Sequence, residues 1–138
     1  NTVGTTGRWN KPAEAALRRR IHPLRYVHVV YWVPGDTVDA IRFYTNRLGF
    51  VITDDMPVGG AFMRAAGSRD HHNLFLQKSN EGFYGFQHVA YEVKDLGEVG
   101  MLGEYMENAG WQTNVGPIRH NICSSFSWYM WNPAGGCV

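Results

Sequence analysis

The chain has 138 residues, 44% of them hydrophobic and 14% aromatic, which suits one domain burying roughly two-thirds of its unfolded surface. A formal net charge of +1 with only 18% charged residues gives no broad basic field, so nucleic acid and an anionic membrane surface are excluded as main partners. Cys123 and Cys137 form no Cys-x-x-Cys pair and cannot frame a disulfide scaffold, no apolar run approaches the ~18 residues of a membrane span, and a reducing cytoplasm is expected.

Residues 1–22 read as a tail or linker, with Pro12 placed to open a short helix through Leu17 and Arg18 to Arg20 as a solvated basic run. Residues 23–138 read as a single domain built on a repeat. The stretch from His28 to Phe50, HVVYWVPGDTVDAIRFYTNRLGF, is similar to HVAYEVKDLGEVGMLGEYMENAGW, from His88 to Trp111. Each copy opens with His-Val in an alternating strand, so His28 shares a face with Val30 and Trp32, and His88 shares one with Ala90 and Glu92.

A helix follows each strand. In the first copy Asp36 or Thr37 is the expected N-cap, Val38, Ile41, Tyr44 and Leu48 form the apolar stripe, and Gly49 supplies the left-handed stop. In the second copy Asp95 caps, Leu96, Val99, Leu102 and Met106 form the stripe, and Gly110 ends it. Internal glycines at 97, 100 and 103 weaken that helix by propensity, so tertiary packing must hold it.

Strand-like runs then follow: GFVIT, GAFMRAAG and HNLFLQK in the first half, and WQTNVGP, SSFSWYMW and GGCV in the second. The fold class is therefore α+β, with two tandem βαβββ modules (23–82 and 83–138) whose sheets curl into an open barrel around a metal cleft. His22 and His71 read as ordinary structural histidines. His28 and His88 hold equivalent positions in related halves, where two neutral imidazoles can converge on a divalent metal.

Paired His-opened modules, in YVHVVYWVPG and GFQHVAYEV, together with the ending RHNICSSFSWYMWNPAGGCV, resemble the vicinal oxygen chelate superfamily (glyoxalase, bleomycin resistance and dioxygenase proteins). Within it the type I extradiol catechol dioxygenases are most similar. The resemblance runs from Leu24 to Val138. Its signature joins a His to an apolar residue, Tyr, and an Asn-Pro-x-Gly turn, supplied here by His120, Trp128, Tyr129 and Asn132 to Gly135.

What the resemblance implies is specific. His28 and His88 would be ligands of Fe(II), or of Mn(II), with a Glu one residue past Val138 completing a two-His-one-carboxylate triad open to O2 and substrate. His72, in SRDHHNLFL, would be the active-site His that donates to developing negative charge and then acts as acid, Tyr129 the active-site tyrosine, and His120 the contact to a substrate hydroxyl. The substrate would be a small aromatic diol, met by Trp32, Phe75, Phe83, Phe86 and Trp131, and a homo-oligomer is expected. A chain beginning at Asn1 would be the catalytic module of a longer enzyme, or a truncated copy of it.

Other readings stay open at this point. Tyr129 also fits a strand tyrosine clustered with Phe126, Trp128 and Trp131, and His72 also fits a turn residue. A glyoxalase-like lyase or isomerase would need a carboxylate between His71 and Ser79, where the chain has none. A non-catalytic module binding an aromatic ligand would not need the ligand histidines.

Overall fold

The computed structural model describes residues 21–57 and 59–138. The expected tail lies outside the described residues, save its last two, and so does the helix expected from Pro12. The elements run β1 (Arg25–Pro34), α1 (Val38–Leu48), β2 (Val51–Met56), β3 (Gly60–Arg64), β4 (Leu74–Ser79), β5 (Gly85–Glu92), α2 (Leu96–Asn108), β6 (Thr113–Arg119) and β7 (Phe126–Met130). Among the described residues no helix is long and apolar enough to cross a membrane.

Five strands form one sheet in the order β2-β3-β4-β1-β5, and β6 and β7 form a second. Strand β1 lies between the halves: it pairs parallel with β4 and antiparallel with β5, so the start of the second half is zipped directly onto the start of the first. The sheets do not close into a barrel. They meet at Cys137, which bridges to His88 on one side and to Trp131 on the other. The result is the expected curled, open α+β sheet.

The core belongs to the first half. Ala61, Met63, Leu74 and Leu76, none more than 2% exposed, alternate inward from β3 and β4, and Ala40, Ile41 and Tyr44 of α1 pack against them. Asp36 caps α1 through its Oδ1, which accepts the Val38 N–H at 2.9 Å, while Thr37 makes no side-chain cap. Gly49 ends the helix at φ 70°, a left-handed turn that a side chain would strain. The stripe is narrower than its spacing implies: Leu48 and Val38 are 54% and 43% exposed, because only the Ile41–Tyr44 arc finds the sheet.

In α2 the Asp95 side chain accepts from Glu98 N at 3.0 Å, and Glu98 Oε2 accepts from Lys94 N, also at 3.0 Å. These bonds satisfy amides at the helix entry much as a capping box does. Tertiary packing holds the glycine-rich helix at one point. A Cβ on Gly103 would sit 2.3 Å from the Trp128 ring, so the indole lies directly on helix backbone. Trp128 Nε1 donates to Thr113 Oγ1 at 2.9 Å, which fixes the ring there. Beside this contact, a cavity of about 230 Å³ between α2 and strands β5 and β7 is lined by Val99, Leu102, Met106, Phe126 and Met130.

Candidate metal centre

The antiparallel register of β1 and β5 sets His28 opposite Ala90 and Val30 opposite His88. The two histidines are therefore diagonal neighbours on one face of the sheet, within reach of each other. Their Nε2 atoms stand 3.0 Å apart and the rings meet edge to face at 77°. Burial, reinforced by nearby imidazoles, pushes each pKa down to about 4, so both are neutral near pH 7.

Gln87 Oε1 can only accept, so it takes the Nδ1 proton of His88 and leaves His88 Nε2 as a lone pair. His28 Nδ1 is buried without a partner. Two imidazole nitrogens each about 2.1 Å from one cation, at right angles, stand about 3.0 Å apart. The pair thus fits two adjacent positions on a divalent metal. Among the described residues no third His, Cys, Asp or Glu joins them.

His72 lies in the loop before β4, only 7% exposed, with its ring 4.2 Å from that of His28. Phe62 meets it edge to face at 4.8 Å, and Phe62 in turn stacks on Phe75 at 4.0 Å. Burial, and then the facing His28 and His71, push the His72 pKa down to about 3. From the second half, Tyr129 sets its ring 5.0 Å from His88, and its hydroxyl lies 2.7 Å from His120 Nε2. Burial pushes the phenol up to about 12.

All five residues singled out in the sequence therefore meet in a continuous run of rings: His72, His28, His88, Tyr129 and His120. A cleft of about 430 Å³ opens beside His28, lined also by Val27, Ala90, Glu92, Arg119 and Ser127. The expected aromatic wall is only partly assembled. Phe75 stands behind Phe62 next to His72, whereas Phe83 and Trp131 are 56% and 49% exposed.

Sequence reading missed the residues that hold these rings in place. Asn73, next to His72, donates through Nδ2 to Val27 O at 3.2 Å and to Asp70 Oδ2 at 3.1 Å, and its Oδ1 accepts from Ala65 N at 3.1 Å. Arg25 grips Asp70 through two nitrogens, at 2.8 and 2.9 Å, and holds its carboxyl below the usual range. The loop carrying His72 is thereby clamped to β1, one residue from His28. A run of polar side chains at 68–73 with no periodicity was the one available signal. His71 also proves to be more than a bystander: its Nε2 lies 2.6 Å from Asp54 Oδ2 and its Nδ1 lies 2.9 Å from His72 Nδ1.

Comparison with known proteins identifies the family and the fold. The model of the Glyoxalase/Bleomycin resistance protein/Dioxygenase superfamily matches residues 25–127. Metapyrocatechase 2 of Cupriavidus necator is 34% identical over 117 residues, covering 85% of this chain and 36% of the relative, so the chain spans about a third of that protein's length. Homoprotocatechuate 2,3-dioxygenase from Brevibacterium fuscum shares the fold at a TM-score of 0.69 and 20% identity, over 85% of this chain and 35% of that one. The 2,2',3-trihydroxybiphenyl 1,2-dioxygenase of Sphingomonas wittichii strain RW1 does so at 0.71 and 24%, over 82% and 40%. With a repeat-built open sheet and a family model spanning most of its length, the chain belongs to the Glyoxalase/Bleomycin resistance protein/Dioxygenase superfamily.

Proposed function

We propose that this chain carries the catalytic cleft of an Fe(II)-dependent extradiol dioxygenase, which opens the ring of a catechol-type substrate with O2. The observation that carries this reading is the meeting of two neutral, adjacent histidines with His72 on one side and the Tyr129–His120 pair on the other. The resemblance to metapyrocatechase 2 supports it. His28 Nε2 and His88 Nε2 would hold the metal, Fe(II) or in its place Mn(II). A carboxylate at the first position past Val138 would join them.

Held by His28 and His88, the metal would supply Lewis-acid and redox chemistry toward a catechol and O2. The protein's own groups then handle protons. Tyr129, with its pKa pushed up to about 12, keeps its hydroxyl proton near pH 7 and can donate to a substrate oxygen. His120, bonded to that hydroxyl through Nε2, orients it. His72 is neutral and packs beside His28, which suits it to take up a substrate proton and return it to a leaving oxygen. On this reading the protein works in the cytoplasm, as a homo-oligomer acting on a small aromatic diol.

The test is anaerobic loading with Fe(II), then a catechol, then air. A yellow ring-opened product, lost in His28→Ala and His88→Ala, is expected. Intact catechol with tight ligand binding and no metal uptake would instead identify a non-catalytic binding module.

A further inference from the structure

The neighbours of His72 restrict which of its ring nitrogens carries the proton. Asp54 sits on β2 with its side chain 49% exposed, His71 is 27% exposed, and His72 is buried against His28, so hydrogen bonds step inward from solvent to the paired histidines. An ionised carboxylate only accepts, so the 2.6 Å contact requires a proton on His71 Nε2. A neutral imidazole has one N–H. In a neutral His71 with that proton at Nε2, Nδ1 is a lone pair, and the single proton in the 2.9 Å Nδ1···Nδ1 contact comes from His72.

We infer that Asp54 and His71 are positioning residues that fix the tautomer of His72, placing its proton on Nδ1 and leaving Nε2 as its basic nitrogen. The groups facing His71 support this assignment. Asp54 approaches from β2, Phe62 lies against it from β3 at 5.4 Å, and His72 is its loop neighbour. The ring of His72 cannot readily flip to evade the constraint, since Phe62 and His28 pack against it at 4.8 and 4.2 Å. The catalytic consequence rests on the ring-cleavage reading: His72 would meet the substrate first as a base at Nε2 and become an acid only after taking up a proton there. The tautomer itself does not depend on that reading.

The test is long-range proton–nitrogen NMR on the metal-free chain with ¹⁵N-labelled histidine, at about pH 8, well above the ordinary imidazole pKa of about 6.5. Expected is a protonated Nδ1 and a lone-pair Nε2 for His72, with the reverse for His71. His71→Phe, which keeps a ring in place, and Asp54→Ala, a change at a half-exposed carboxylate, should each return His72 to the tautomer mixture of a free imidazole. A His72 proton on Nε2 in the unaltered chain, or tautomers unmoved by either variant, would overturn the inference. In the ring-cleavage assay Asp54→Ala should lower kcat about 10-fold with KM little changed. If the tautomers behave as expected but no catechol is opened, the inference stands and the ring-cleavage reading falls.

Discussion

The two halves of the repeat do different work. The first wraps three strands and a helix around side chains that are almost wholly enclosed, Ala61, Met63, Leu74 and Leu76. The second has a glycine-rich helix resting on one indole, an apolar cavity behind it, and few buried hydrophobics beyond Met130 and Cys137. Yet each contributes to the run of rings: His28 and His72 from the tight half, His88, Tyr129 and His120 from the loose one. A related pair of units can thus divide labour, one giving rigidity and the other leaving room for adjustment around a shared centre.

The largest expected effect falls on the seam between them. His28, His72 and His88 have folded pKa values pushed to about 4, 3 and 4, below the ordinary ~6.5 of an unfolded imidazole. As pH falls through that window the unfolded chain takes up protons that the folded one refuses, so stability is intact above about pH 6.5 and is lost between there and about pH 4. Each histidine costs ~1.4 kcal/mol per pH unit in that range. Urea midpoints measured across it should drop steeply, and less so for His72→Phe.

Core truncation should separate the halves next. Leu74→Ala, at a position 2% exposed, should cost about 3 kcal/mol, whereas Leu102→Ala, beside a cavity already present, should cost about 1 kcal/mol. Equal losses in urea unfolding would mean the second half is as tightly packed as the first. The smallest effects distinguish two glycines of α2. Gly103→Ala drives a methyl into Trp128 and should cost about 2 kcal/mol, while Gly100→Ala meets nothing within 4 Å and should gain about 0.5 kcal/mol of helix propensity, both read from thermal unfolding.

Much of this was legible in the sequence, for definite reasons. Strand alternation put His28 and His88 on defined faces, and repeated His-Val openings tied the halves together. Asp95, Gly49 and Gly110 marked helix ends through chemistry that acts locally. What escaped was non-local. Spacing located the stripe of α1 but could not say that Leu48 would find no neighbour. Gly103 read as a weakness because its partner, Trp128, lies on another element. The doublet at 71–72 followed no period, so only folding revealed that His71 turns toward Asp54 and His72 toward His28.

The pairing at Cys137 and Val138 has a dimensional consequence. Cys137 N donates to Gln87 O, Val89 N donates to Cys137 O, and Val138 exchanges bonds with Met130 in both directions. One extended segment therefore separates β5 from β7 by two interstrand steps of about 4.8 Å each. That spacer works like a gauge block: the gap Tyr129 crosses to reach His88 is metered by peptide geometry rather than by side-chain length.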